Sequence, residues 1–341
     1  VTPERELLLL LAASEERRER TRDRLSQLAA SADWGRLAGE LERQRMLALC
    51  GPRAIEVAGE EVPGWFRQGV EATVRETRHQ AALLEAVTLR IAGRLEAASI
   101  PALPLKGPLL ARQVYGDAGA RPAKDLDLLV PALELWRAAE IVVAEEGYAP
   151  PSDRLGRSGL PQLHLALAHA GGSLPDLELH WRIHWVETAF SRALLEASRP
   201  DPELGRVPAA DDGLAALLLL LARDGMVGLR LAADAAAWCD AHARELEDGA
   251  LARHVRTFPE IRLALLAAAH AAERLVGLPA GRLLAETRPP ERRVRLAGRM
   301  ANWSIEGDSD EVYAVSTLVD WLVTPPGEQL AFVRRTLFPP A

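Results

Sequence analysis

Residues 102–130 read Ala-Leu-Pro-Leu-Lys-Gly-Pro-Leu-Leu-Ala-Arg-Gln-Val-Tyr-Gly-Asp-Ala-Gly-Ala-Arg-Pro-Ala-Lys-Asp-Leu-Asp-Leu-Leu-Val. A short apolar run ends at Lys106-Gly107 and passes straight into helix-forming residues. Gly107 allows a tight turn, and Pro108 suits the first turn of a helix expected to run to about Tyr115. After a Gly/Ala/Pro-containing loop, a second apolar run carries Asp125 and Asp127. In a strand, residues i and i+2 share one face, so the two carboxylates project side by side while Leu126 and Leu128 point into the core. Paired carboxylates on such a strand repel one another and lose hydration. A hard divalent cation with oxygen ligands is the natural counter-charge.

Outward from this stretch the pattern separates into three parts. Residues 1–98 read as helical, with Ser14–Leu28, Trp34–Leu49 and Phe66–Ala98 as the main segments and Gly51-Pro52 as a stop signal. Residues 99–188 alternate strand, helix, strand and helix, then form a hairpin-like pair. The second helix follows Pro131, carries Leu135, Trp136, Ala139 and Val142, and ends at Gly147. Gln162–His169 alternates, Gly171-Gly172-Ser173 is a turn, and Asp176–Ile183 alternates again. On the last of these, Asp176, Glu178, His180 and Arg182 share one face. Residues 150–159 form a polar loop. Residues 189–341 return to helices separated by turns at Gly277-Leu278-Pro279, Pro289-Pro290, Pro325-Pro326-Gly327 and Pro339-Pro340. The expected fold is α+β or α/β: a small mixed sheet between mainly helical N- and C-terminal regions.

The 341 residues are 48% hydrophobic with a formal net charge of −7, a balance that disfavours coating bulk nucleic acid. Two cysteines without a CxxC pair argue against a zinc site or a disulfide framework and fit a reducing compartment. Leu8–Ala13 is too short for a secretory core or a membrane span. We expect a cytoplasmic protein that does not enter the membrane.

The order Lys-Gly-x-Leu-Leu, then Tyr, then Arg, then Asp-Leu-Asp-Leu-Leu-Val, followed by Leu-Glu-Leu-His-Trp, resembles the uncharacterised bacterial nucleotidyltransferase proteins of the polymerase-β-type superfamily. The resemblance covers about residues 30–240, with its specific signals in 102–130 and 176–182. It implies an enzyme that transfers NMP from an NTP such as ATP to an acceptor and releases pyrophosphate. It implies two Mg²⁺ ions, with Mn²⁺ as a substitute, bridged by Asp125 and Asp127. It further implies a third carboxylate on a neighbouring strand, assigned to Glu178 with Asp176 as second choice. Lys106, Gly107 and Arg121 would face the triphosphate, the helix after Gly107 offering free N–H groups. The acceptor is not readable, and the acidic balance favours a small molecule, peptide or protein.

One departure is clear. The broader superfamily has Gly-Ser or Gly-Gly at the turn, whereas Pro108 supplies neither hydroxyl nor N–H, and the gap from Gly107 to Asp125 is longer than usual. The competing reading is a degenerate fold that binds a nucleotide or partner without catalysis. Each assignment also has a plainer competitor. Asp125 and Asp127 can pair with Lys124 and Arg121, Glu178 can face solvent, and Lys106 can be a solvated strand end. His180 points with Glu178 and can act as a base or as a partner of the acids, its plainer reading being a satisfied structural histidine; His164, His169 and His184 have no separate support. Trp136, Trp181 and Trp185 read as core.

Overall fold

A computed structural model describes residues 2–150, 160–161, 163–185, 187, 189–285, 287, 291–304 and 309–337. The expected loop at 151–159 and the turns at Pro289-Pro290 and Pro339-Pro340 lie outside these. The chain divides into two compact units, one of residues 1–44 with 213–341 and one of residues 45–212. Each is described by itself.

The first unit is helical throughout its described residues. At its centre is the helix Arg262–Val276, eleven of whose fifteen residues are buried. Burial all round rather than on one stripe marks an interior helix, and the Ala- and Leu-rich composition permits close approach on every side. The helix Arg230–Ala241 has the same character, with nine buried residues including Trp238 and Cys239.

The second unit holds the sheet. Its strands are β1 (Leu103–Pro104), β2 (Asp125–Leu129), β3 (His164–Leu167) and β4 (Asp176–His180), in spatial order β1-β2-β4-β3. β2 and β4 are parallel; β1 and β3 flank them antiparallel, making a mixed sheet. The connection from β2 towards β4 passes through the helix Leu135–Glu146, as a parallel pair requires a crossover. A further hairpin pairs Arg199–Asp201 with Gly205–Val207.

Alternation in these strands sends Leu126, Leu128, Leu165, Leu167, Leu177 and Leu179 to one face. There they pack against Leu84, Val87, Ile91 and Leu95 of the 34-residue helix Gly64–Ala97, and against Leu135, Ala138 and Val142 of the Leu135–Glu146 helix. Each fully buried leucine contributes roughly 1.5–3 kcal/mol. The long helix is also tied at its end to the second helix by ion pairs. Arg90 meets Glu146 at 2.7 Å, and Arg94 meets Glu145 and Glu146 at 2.9 and 2.5 Å.

Several local expectations change. Gly51-Pro52 does not stop a helix, because the break comes earlier, at Gln44–Met46, where Arg45 takes φ 54°. The helix then runs Leu47–Ala58 with Pro52 inside it. Gly51 is required for close approach to the long helix: a Cβ there would lie 2.7 Å from Val70 Cγ2. Ser14–Leu28 divides at Thr21 into Glu15–Arg20 and Arg22–Ala30. Trp136 is not core but 36% exposed. It sits about 100° round its helix from the buried stripe of Leu135, Ala138, Ala139 and Val142. The run from Asp176 leaves the sheet after His180, since the backbone N–H of Ile183 turns to Glu187 Oε1 and Ser191 Oγ, both at 2.9 Å.

Candidate active site

The face of the sheet opposite the leucines carries the polar residues. The parallel register pairs Asp125 with Asp176 and Asp127 with Glu178. Paired residues on neighbouring strands share a face, so four carboxylates line up in two rows. His180 follows Glu178 on this face, and the antiparallel register sets His164 directly beside His180.

The inner row closes into a contact network. His180 Nε2 lies 3.1 Å from Asp127 Oδ1 and 3.1 Å from Glu178 Oε2. Lys106 Nζ lies 3.1 Å from the same Asp127 oxygen. His164 Nε2 lies 3.7 Å from Glu178 Oε1, and its ring centroid is 4.8 Å from that of His180. Asp127 and His180 are buried, with side chains 1% and 0% exposed, whereas those of Glu178 and His164 are 25% and 32% exposed. The network is therefore sealed at Asp127 and opens towards solvent on the Glu178–His164 side.

Local structure explains how Lys106 arrives there. The Leu105 N–H donates to Asp127 O at 3.1 Å, which extends the pairing of β1 and β2 by one residue and leaves Lys106 next to Asp127. Gly107 then turns the chain with φ 89° and ψ −153°, a region that favours glycine. The helix Pro108–Tyr115 starts at once, with Ala111 N donating to Gly107 O. Arg121 is buried after the short turn Ala118–Ala120. That turn is braced by Asp117, which accepts from Gly119 N at 2.9 Å and pairs with Arg78 at 2.8 Å.

The electrostatics follow from this packing. Burial pushes the Asp127 carboxyl up, but the hydrogen bond from His180 and the charge of Lys106 outweigh it and hold the group well below the usual carboxylate range. Burial likewise raises Glu178 and Asp127 repels its ionised form, yet the His180 hydrogen bond and the neighbouring imidazoles lower it overall. Both groups are thus held as carboxylates, the form a metal ion needs.

The sequence-assigned residues therefore divide. Asp127, Glu178 and Lys106 are drawn into one network, and Asp125 and Asp176 sit one step back along the same two strands. Asp176 is exposed, Asp125 half-buried. Gly107 and Arg121 flank the network in the chain. His180, read from sequence either as a partner of Glu178 or as a satisfied structural histidine, bridges two of the assigned acids, and His164 stands beside it. The alternation of β4 had put His180 on the face of Glu178; its contact with Asp127 depends on a strand pairing that sequence does not reveal.

Asp127 and Glu178 present their carboxylates on one face with Asp125, and the donor atoms of Glu178, His180 and His164 lie close enough together to hold a metal ion. The Lys106-Gly107 turn at a helix start beside them has the composition of a phosphate-binding corner. No helix among the described residues is long and apolar enough to cross a membrane. Comparison with curated proteins and with solved structures yields no match. The family model described as uncharacterised nucleotidyltransferase does match, over residues 30–277, a span that holds the whole sheet and most of the chain, and the protein belongs to that family of nucleotidyl-group transferases.

Proposed function

We propose that this nucleotidyltransferase is metal-dependent and moves NMP from an NTP to a small-molecule, peptide or protein acceptor, with Asp125, Asp127 and Glu178 as the carboxylates of the reaction centre. The observation that carries this reading is the parallel register that sets Asp127 beside Glu178, with both carboxylates gathered on His180 Nε2. An acceptor oxygen attacks the α-phosphorus, the bond to the bridging oxygen of the β-phosphate breaks, and pyrophosphate leaves. Divalent ions, when bound, supply charge for the attacking and leaving oxygens. The three carboxylates would hold them, Mg²⁺ being the ion the chemistry implies. Lys106, whose ammonium contacts Asp127, would exchange that contact for a phosphate oxygen. Arg121 supplies a second positive charge from the loop before β2, and Gly107 leaves room for the backbone to approach the triphosphate.

The test is pyrophosphate release from each of the four NTPs with Mg²⁺, using a panel of hydroxyl- and phosphate-bearing acceptors. Asp127→Asn should reduce turnover at least a hundredfold; equal turnover in the variant removes this carboxylate from the mechanism. Pro108 favours a second reading, a nucleotide-binding module without transfer, because it removes one N–H from the phosphate-binding turn. That reading predicts NTP binding by calorimetry with no pyrophosphate release under any acceptor.

A further inference from the structure

The network contains one mismatch. His180 Nε2 is 3.1 Å from a carboxylate oxygen on each side. A ring nitrogen carries at most one proton, which cannot serve both oxygens with good geometry. A divalent cation bound to Nε2 and the Glu178 oxygen relieves that competition and leaves Asp127 to Lys106. Ligand atoms around one ion with bonds of about 2.1 Å stand roughly 3.0–3.4 Å apart, from octahedral to tetrahedral arrangement, and the contact of Nε2 with Glu178 falls in that range. His164 completes the set: single donor atoms of His164, Glu178 and His180 all lie within 4.8 Å of one another. The other ring nitrogen of His180 is buried and has no hydrogen-bond partner among the described residues. It is therefore available for the ring proton once Nε2 is ligated. His164 and Glu178 are partly exposed, so an ion has a path in.

We propose that His164, His180 and Glu178 form a metal site for a borderline transition ion of the Mn²⁺–Zn²⁺ class, sharing its edge with Asp127. Two imidazoles and a carboxylate are a poor donor set for Mg²⁺, which prefers oxygen and keeps its waters, and a good one for first-row transition ions. The site deepens the metal half of the proposed function; it rests on that reading for the ion's role in transfer, but not for its binding. One of the two ions expected at the carboxylates would then differ in kind from the other, held by nitrogen on the β3–β4 side and by oxygen alone on the β2 side.

Co²⁺ is the probe, added to the full-length protein after chelator treatment. Its visible ligand-field bands and X-ray absorption report imidazole ligation directly. Wild type should take up Co²⁺ with an imidazole signature, lose it to equimolar Zn²⁺ and keep it against a hundredfold excess of Mg²⁺. His164→Gln, at a half-buried position on the edge strand β3, should weaken Co²⁺ binding at least tenfold. His180→Gln should do the same, and if it does not fold, His164→Gln decides alone. Displacement by comparable Mg²⁺, or Co²⁺ affinity unchanged in His164→Gln, overturns the site. If that happens while Mg²⁺-dependent pyrophosphate release persists, only the imidazole site falls and the transferase reading stands. Imidazole-ligated Co²⁺ in a protein that releases no pyrophosphate supports the site and removes the catalytic reading instead.

Discussion

Replacing Lys106 by Met keeps the length of the side chain and deletes its charge. At 3.1 Å from Asp127 Oδ1, the attraction is about 5 kcal/mol at an effective dielectric of 20. Desolvation of the ammonium, whose side chain is 15% exposed, offsets a large part of it. Removing one partner of a buried pair typically costs about 3–5 kcal/mol because the other charge is left uncompensated. Here His180 stays on the same oxygen, so the cost falls below that range, to ~2–3 kcal/mol. Scanning calorimetry of the protein in chelator should therefore show Lys106→Met melting roughly 3–4 °C below wild type. A divalent ion reverses the order of gains. In the variant it meets Asp127 without competition, whereas in wild type it must displace the ammonium. At a concentration a hundred times the dissociation constant, the ion adds about 2.7 kcal/mol. Titration with Mg²⁺ or Mn²⁺ should thus narrow the gap in melting temperature. Two results refute the reasoning. A metal-free variant within ~0.5 kcal/mol of wild type shows that the ion pair contributes nothing. Equal gains on metal addition show that lysine and cation do not share the Asp127 oxygen.

Three further perturbations test the scaffold. Gly119→Ala puts a Cβ 2.3 Å from Arg78 Cγ and 3.0 Å from Arg78 Cα on the long helix; denaturant unfolding should show a loss of ~1–3 kcal/mol from overpacking, with no loss if the turn simply lifts. Glu187 is fully buried and accepts from the N–H groups of Ile183, His184 and Ser191 and from the Ser191 hydroxyl. Glu187→Ala should cost ~3–5 kcal/mol and Glu187→Gln, which retains one acceptor oxygen, ~1–3 kcal/mol; similar losses in the two variants would show that hydrogen bonding is not what this side chain contributes. Asp320 in the first unit is pushed up to about 8 by burial, reinforced by the negative charge of Asp224. Its folded pKa lies above the unfolded value, so the folded state holds a proton that the unfolded state releases above about pH 4. The contribution of Asp320 to stability should therefore fall as pH rises from about 4 to 8, by at most ~1.4 kcal/mol per pH unit. Asp320→Asn should melt higher than wild type by a margin that grows over that window and then levels; a margin independent of pH would refute the assignment.

The sequence by itself determined the local terms of this protein. Period-two alternation fixed which face of β2 carries Asp125 and Asp127, and which face of β4 carries Glu178 and His180, because a side chain's face in a strand depends only on its own position. Gly107 and Pro108 announced the turn and the helix start, since φ of 89° and an N1 proline are local preferences. The long apolar stripe from Phe66 to Ala98 gave the helix that backs the sheet, while Pro52 misled because the buried face of the Leu47–Ala58 helix carries it through an interior position that local preference disfavours. Strand partners were another matter. That β4 lies beside β2, parallel and in the register that sets Glu178 opposite Asp127, was decided by the packing of six leucines against two helices. The same register put His180 between two acids. Residues 53 positions apart meet there because tertiary packing pairs β2 with β4 in this register.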